Sequence, residues 1–238
     1  FRRVLFRSYD PGQDLKNSPL RDNEYRKDPA ATWEILMNGY KIHEDKILRI
    51  RNEVTPYKMP LAMTECHYSL RGRNRCEVLS SWAAGVSYAR LLNLHERHGD
   101  LLKIATSADF CGTRWQVNAL MIPTPSGRPF LMPVAKIMSL YRKYSGKDFI
   151  EVINVPAGLD VTASRTGNTV YLHVVNTNRV RPVGTMLNVS NMTVKSGKAF
   201  ELSTDPEFEI MDAANDPLVP KEKVLSVNEP VVFPPASV

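Results

Sequence analysis

The sequence lacks several features that would assign it at once to a class of protein. No apolar run among its 238 residues is long enough to span a bilayer, so we expect no integral membrane protein. Its three cysteines, Cys66, Cys76 and Cys111, are an odd number without metal-ligand spacing, which indicates neither a disulfide framework nor a zinc site. Internal repeats and low-complexity linkers are also missing, which argues against solenoid architectures.

The composition fits a soluble globular protein. Hydrophobic residues make up 43% of the chain and charged residues 24%, which leaves ample apolar surface for a core. A chain of this length holds one large domain or two of ordinary size.

The first eight residues, FRRVLFRS, look like the translated end of a common sequencing adapter. We therefore interpret residues 1–8 as an artefact and set them aside, as for any segment foreign to the protein, and expect the native start to be missing. Leaving out Arg2, Arg3 and Arg7 lowers the formal net charge from +6 to +3. Such an ordinary balance argues against a nucleic-acid partner.

The first part of the chain alternates helical and strand patterns. Asp28 followed by Pro29 predicts a helix start, and apolar residues at helical spacing continue to about Val54. Two more helices are predicted, from about Glu77 to a C-cap at Gly99 and from Pro133 to Gly146. Two short apolar strands separate the three helices: residues 61–64 lie between the first and second helix, and residues 101–106 between the second and third. Strands without alternation predict a parallel sheet that is covered on both faces.

The pattern changes at Phe149. Strand-like runs such as FIEVINV, LDVTASR and TVYLHVVN follow one another between Gly, Pro and Asn turns, and no helical period remains. We predict an antiparallel β-domain, a sandwich, with the boundary near residues 146–150.

Glu65 stands at the end of the strand Leu61-Ala62-Met63-Thr64, where an apolar surrounding penalises charge. A carboxylate held on a rigid strand end suits nucleophilic catalysis. An ordinary buried ion pair explains the same pattern, and the strand alone leaves the two interpretations open.

Taken together, the strand ending in TE, the helix WAAGVSYARLLN, the strand KIATSADF and the terminal FPPASV resemble one enzyme family. From residue 9 to residue 238 the chain resembles the C-terminal part of an α-L-arabinofuranosidase of glycoside hydrolase family 51, within the clan of retaining (β/α)8-barrel glycosidases. That family usually has Asp-Glu-Trp-Asn where this chain has Thr64-Glu65-Cys66-His67, and related families of the clan have Thr-Glu.

The resemblance implies a fold. Residues 9–147 would be the last two strands of a (β/α)8 TIM barrel with their helices, and residues 148–238 a C-terminal antiparallel β-sandwich. A complete barrel needs eight strands and about 250 residues, so the chain would be a fragment that is inactive alone.

The resemblance also implies roles for residues. Glu65 would be the nucleophile, and the general acid/base glutamate would lie upstream of this chain. The arginine-rich loop RGRNR would follow the nucleophile at the barrel rim and support its charge. The expected substrate-binding residues are His67, Tyr68, Asp109, Arg114 and Trp115, although Phe110 and Trp115 equally suit a junction with the β-domain. No metal or organic cofactor is implied.

The partner would be an arabinose-containing oligo- or polysaccharide, with neither a nucleic acid nor a membrane, and a homo-oligomer of the full-length protein stays open. Alternatives are a β-xylosidase or an endoglucanase of the same clan, or a non-catalytic carbohydrate-binding β-domain protein.

Two smaller features are weighed separately. Cys66 and Cys111 follow matching strand ends, so a disulfide is conceivable, and free thiols are the default expectation. The run HERH (residues 95–98) is one residue short of the metal motif H-E-x-x-H and is expected at the surface of a helix end.

Overall fold

A computed structural model describes residues 2–5, 18–66, 77–113, 119–226 and 229–238. Its four α-helices are α1 (Pro29–Asn38), α2 (Tyr40–Val54), α3 (Trp82–Arg97) and α4 (Pro133–Lys143). The strands of the first part are β1 (Arg2–Leu5), β2 (Leu61–Glu65), β3 (Leu102–Ala105), β4 (Cys111–Gly112), β5 (Leu120–Met121) and β6 (Phe130–Leu131). Those of the second part are β7 (Asp148–Ile150), β8 (Leu159–Thr166), β9 (Thr169–Asn176), β10 (Val183–Thr185), β11 (Gly197–Glu201), β12 (Lys221–Leu225) and β13 (Val231–Phe233).

The predicted order of helix, strand, helix, strand, helix is confirmed for the longer elements, with two differences. Three short strands that were not predicted, β4, β5 and β6, lie between β3 and α4. The first helix is divided at Gly39 into α1 and α2. The amide of Gly39 donates to the Leu36 carbonyl and that of Ile42 to the Gly39 carbonyl, each only three residues back. This tighter pattern interrupts the α-helical ladder for one turn, at a residue with low helix propensity. The predicted start is confirmed, because Asp28 accepts a hydrogen bond from the Ala31 amide at 2.9 Å.

A parallel sheet in the order β1-β2-β3 lies beside these helices. The parallel pairing of β2 with β3 is as predicted, and the first three residues of β2 are buried. The prediction that both faces are covered is wrong for β3, since Ile104 is 47% exposed within the described structure. The reason is the position of β3 at one edge of the described sheet. Leu61 and Met63 of β2 belong to the core cluster, whereas Ile104 of β3 does not. The adapter-like residues of β1 pair with β2, and their origin stays a prediction.

From β7 onward, where the sequence pattern changes, the described strands pair antiparallel. Earlier in the chain β5 and β6 also pair antiparallel, and β4 lies parallel beside β5. Strands β7, β8 and β9 form one sheet, and β10-β13 and β11-β12 form two smaller ones. The predicted all-β character is therefore confirmed as a set of small antiparallel sheets. Their arrangement as a sandwich and the domain boundary stay predictions.

Helix α3 lies at the centre of the molecule. Twelve of its sixteen residues are buried, and the Trp82 indole donates to the Ala236 carbonyl at 2.6 Å. The Trp33 indole of α1 likewise donates to the Thr177 carbonyl at 2.8 Å. Both tryptophans thus hold the helices against the antiparallel region with a large buried ring and a satisfied N–H.

A buried carboxylate joins α3 to β8. Asp160 accepts hydrogen bonds from Arg90 at 2.8 Å, Arg97 at 2.7 Å and Asn93 at 3.0 Å. Burial alone would raise the pKa of Asp160, but these donors, with Arg97 foremost, lower it below its ordinary value. The ionised carboxylate is thereby held at the junction between the helices and the antiparallel sheet.

Gly85 sits where α3 meets the start of α4. A Cβ at this position would lie 2.9 Å from the Cβ of Pro133 and 3.1 Å from the Trp82 ring. The two helices therefore approach each other closely at this glycine.

We predict that Gly85→Ala lowers the free energy of unfolding by about 1–2 kcal/mol, because overpacking outweighs the gain in helix propensity. Denaturant unfolding of both chains measures the difference. An unchanged or higher stability would mean that α4 moves away from α3 at little cost.

No helix in the described ranges is long and apolar enough to cross a membrane.

Candidate functional site

The carboxyl ends of β2 and β3 lie side by side, because the two strands are parallel neighbours. Thr106 joins the two strand ends by three hydrogen bonds. Its carbonyl accepts from the Cys66 amide at 2.8 Å, its amide donates to the Met63 carbonyl at 2.9 Å, and its hydroxyl donates to the Thr64 carbonyl at 2.6 Å. The backbone on both sides of Glu65 is therefore held by the residue that follows β3.

Glu65 is the last residue of β2 and is partly buried. Met63, two residues earlier, is fully buried. The carboxylate thus stands where the strand leaves the core, which keeps its position defined by the sheet and leaves part of it accessible.

Asp109 lies four residues beyond the end of β3, at the same edge of the sheet. It is exposed and has a φ of 47°, a left-handed conformation that Asp tolerates better than most residues. Phe110 beside it is 53% exposed, so within the described structure its ring does not cover a junction with the β-region. The Phe110 carbonyl accepts from the Leu120 amide, which ties this loop to β5.

The structure therefore places two of the six predicted site residues, Glu65 and Asp109, at one edge of the parallel sheet. The other four lie outside the described residues: His67, Tyr68, Arg114 and Trp115. The arginines of the loop RGRNR and Cys76 lie outside them as well. The roles proposed for all these residues stay predictions.

Cys66 and Cys111 are free thiols, the first buried and the second exposed. The default expectation is thereby confirmed for this pair. Cys66 is instead enclosed by two histidines, His43 of α2 and His95 of α3, and all three residues are buried. The thiol sulfur lies 3.9 Å from Nδ1 of His43 and 3.9 Å from Nε2 of His95.

The expectation of a surface role for HERH is wrong for His95. This side chain is buried, 7% exposed, because it falls on the core face of α3 near its end. Desolvation lowers the pKa of His95 to about 4 and that of His43 to about 3. Desolvation also raises the pKa of Cys66 to about 12, so all three groups are neutral at pH 7.

Sequence reasoning missed this cluster. The residues are separated by 23 and 29 positions, which fits no metal or catalytic motif. A usable signal was the helical position of His43 and His95, since each falls in register with buried residues of its helix.

A separate cleft of about 250 Å³ lies between α1 and the loop at 206–209. One of its two lining carboxylates, Glu209, accepts from two nitrogens of Arg26 at 2.7 and 2.6 Å and from the Tyr25 hydroxyl at 2.9 Å. Those contacts fasten the loop to the start of the helical region. The cleft shares no lining residue with the edge that carries Glu65.

The described elements define a mixed α/β fold, with a short parallel sheet and small antiparallel sheets, that is known among glycoside hydrolases. The α-L-arabinofuranosidase from Thermotoga maritima, solved as an arabinose complex, matches 86% of this chain with a TM-score of 0.72 at 16% identity. A family 51 α-L-arabinofuranosidase from Bifidobacterium longum matches 99% of it with a TM-score of 0.69 at 13% identity.

The match covers 48% and 51% of those two chains, so this chain spans about half the length of the structures it resembles. A bifunctional glucanase-xylanase from a metagenome library, CelM2, matches 80% of the chain with a TM-score of 0.50 at 17% identity, over 32% of its own length. No protein-family model matches the sequence, and no curated protein is significantly similar to it. The resemblance to α-L-arabinofuranosidases is thereby confirmed at the level of the fold.

Proposed function

We propose that this chain is part of a retaining glycoside hydrolase and supplies its nucleophile, Glu65. The whole protein would release arabinofuranosyl residues from the non-reducing ends of arabinose-containing plant oligo- or polysaccharides. The observation that carries the proposal is the place of Glu65, at the carboxyl end of a parallel strand within an arabinofuranosidase-like fold. In barrels of this kind the active site lies at that end of the strands.

The chemistry asks for a carboxylate of this kind. In a retaining glycosidase one carboxylate attacks the anomeric carbon while a second, about 5–5.5 Å away, protonates the leaving oxygen. The attacking oxygen has to be positioned to within a fraction of an ångström. The hydrogen bonds of Thr106 on both sides of Glu65 are suited to that requirement.

The remaining site residues have proposed roles that follow from their chemistry. Asp109 would accept hydrogen bonds from sugar hydroxyls, and Trp115 would stack on a sugar face. His67, Tyr68 and Arg114 would donate to the nucleophile or to the sugar, offsetting the desolvation of an ionised Glu65. The acid/base glutamate would be contributed by a part of the protein outside this chain.

We predict that the 238-residue chain alone does not hydrolyse aryl glycosides, because half of the carboxylate pair and most of the barrel would be missing. An exposed β3 edge also favours aggregation of such a piece. Turnover of aryl α-L-arabinofuranoside by the purified chain is the measurement. Activity that disappears in the Glu65→Gln chain would overturn the prediction and show that this chain holds a complete site.

The experiment that tests the proposed function uses the full-length protein, encoded by the gene recovered with its flanking sequence. It is assayed on aryl α-L-arabinofuranoside and on aryl β-D-xyloside, and NMR identifies the anomer of the first product. Arabinoside cleavage with retention is the expected result. Cleavage with inversion would exclude Glu65 as a covalent nucleophile.

The second candidate is a β-xylosidase or an endoglucanase of the same clan, which the match to the glucanase-xylanase favours at a lower TM-score. Cleavage of the xyloside alone would select the β-xylosidase, and hydrolysis of a soluble β-glucan, added as a third substrate, would select the endoglucanase. Either result would keep Glu65 in its role. A folded full-length protein that hydrolyses none of the three substrates but binds the polysaccharide would instead favour a non-catalytic carbohydrate-binding protein.

A further inference from the structure

The buried cluster of His43, Cys66 and His95 has the composition of a metal site. Three donors, two imidazole nitrogens and one sulfur, converge from α2, the end of β2 and α3, and all ligand atoms lie within 4.8 Å of one another. Nitrogen and sulfur donors of this kind select soft or borderline transition metals over Mg²⁺ or Ca²⁺.

Hydrogen bonding accounts poorly for the Cys66 thiol and for His95. The sulfur–nitrogen separations of 3.9 Å are long for a thiol–imidazole pair. The second nitrogen of His95, Nδ1, is buried and has no hydrogen-bond partner among the described residues. A metal ion bound at Nε2, the nitrogen 3.9 Å from the sulfur, would leave Nδ1 as it is.

The separations fit coordination better. With metal–sulfur and metal–nitrogen bonds of about 2.3 and 2.0–2.1 Å, sulfur and nitrogen ligands lie about 3.6 Å apart in a tetrahedron and about 3.8 Å apart in a trigonal plane. The observed 3.9 Å is close to the trigonal value. The sulfur–nitrogen pairs would therefore need to shift by only about 0.1–0.3 Å. The two histidine nitrogens, which lie within 4.8 Å of each other, would need to stand about 3.6 Å apart in a trigonal plane.

The net charge of the ion together with its three ligands favours Cu⁺ over Zn²⁺. One thiolate and two neutral imidazoles carry a charge of −1, so Cu⁺ gives a neutral assembly and Zn²⁺ leaves +1 in a buried place. The positive charge of Lys46 also acts on His43 and Cys66. A neutral complex avoids both the desolvation of a net charge and repulsion from that lysine.

We propose that His43, Cys66 and His95 form a buried three-coordinate site for a soft d¹⁰ metal ion, with Cu⁺ as the best-matched occupant and Zn²⁺ as the alternative. The ion would bind as Cys66 loses its proton to solvent, and no electron is transferred. One ligand, Cys66, immediately follows Glu65 in the sequence. A bound ion would therefore link the end of β2 to α2 and α3. It is independent of the proposed glycosidase activity.

The test refolds the full-length protein, purified without a polyhistidine tag, with and without one equivalent of Cu⁺ or of Zn²⁺. Refolding is necessary because the three ligands meet only in the folded protein. We expect one ion per chain by elemental analysis and a sulfur-plus-two-nitrogen environment by X-ray absorption. At a metal concentration of about 100 times Kd, the thermal midpoint should rise by about 5–10 °C.

The decisive comparison is between two cysteine variants. Cys66→Ser should abolish binding and the rise in midpoint, whereas Cys111→Ser, which removes an exposed thiol outside the cluster, should keep both. His95→Ala should weaken binding at least about tenfold, by loss of one ligand, and His98→Gln on the same helix end should not. Circular dichroism checks that Cys66→Ser folds like the wild type. His95→Ala removes a different ligand and therefore gives an independent measurement of metal binding.

Competition between the two ions decides the occupant, since either ion held by these ligands supports the site. Absence of stoichiometric binding by the wild-type chain would overturn the proposal. So would metal binding that persists in both Cys66→Ser and His95→Ala, which would place the ion elsewhere.

Discussion

Replacing Glu65 by glutamine in the full-length protein is expected to lower kcat on aryl α-L-arabinofuranoside by at least about 10³-fold. Glutamine keeps the size of the side chain and its place at the end of β2, but its neutral amide cannot form the glycosyl ester through which retention proceeds. The thermal midpoint should change little, because the side chain is only partly buried. Steady-state kinetics and thermal unfolding of the same preparations measure both effects.

A matched control is Glu34→Gln, which neutralises an exposed carboxylate on α1. It should leave kcat within about twofold, since exposed changes away from the site act weakly. A further check is Glu65→Ala with azide, a small anion that occupies the vacated space and attacks the anomeric carbon. Restored turnover with a glycosyl azide product supports the nucleophile. Full activity of Glu65→Gln would remove Glu65 from the chemistry altogether.

Asp160→Ala is expected to lower the free energy of unfolding by about 3 kcal/mol, at the lower end of the range for breaking a buried ion pair. The variant leaves Arg97 and Arg90 facing the junction without their carboxylate. The lower end applies because Arg97 is partly exposed and Arg90 keeps two other contacts, the Met37 carbonyl and the face of the Tyr40 ring. For a chain of this size the thermal midpoint should fall by roughly 6–12 °C.

Asp100→Ala is the matched control. Like Asp160, Asp100 accepts two hydrogen bonds from arginine nitrogens, both of them from Arg51, but its side chain is 65% exposed. Exposed pairs contribute about 1 kcal/mol or less, so this variant should lose far less stability. Equal losses in the two variants would contradict the role assigned to burial.

The effect of Asp160 should also depend on pH. Its folded-state pKa lies below the unfolded value of about 3.9, so its contribution is fully present above that pH and is lost as the pH falls through the folded pKa. The stability difference between wild type and Asp160→Ala should therefore be constant from pH 5 to 7 and shrink below about pH 4. A difference that grows in acid would have the wrong sign for this mechanism.

Much of the fold could be predicted from local pattern. The cap at Asp28, the strand that ends at Glu65 and the helix that begins at Pro133 all appear where the spacing of residues placed them. The division at Gly39 and the exposed Ile104 were not predicted. The division at Gly39 depends on the tightening of a single helical turn. The exposure of Ile104 depends on β3 lying at the edge of the described sheet, which the local sequence does not determine.

Within the site, the sequence by itself determined the two carboxylates at the carboxyl edge of the sheet, Glu65 and Asp109. Both follow strands, and parallel strands end at one edge, so their neighbourhood is implied by order along the chain. The cluster of His43, Cys66 and His95 and the junction at Asp160 were decided by tertiary structure. Their members are 23 to 70 residues apart, and contacts formed by the packing of separate elements leave no periodic trace in the sequence.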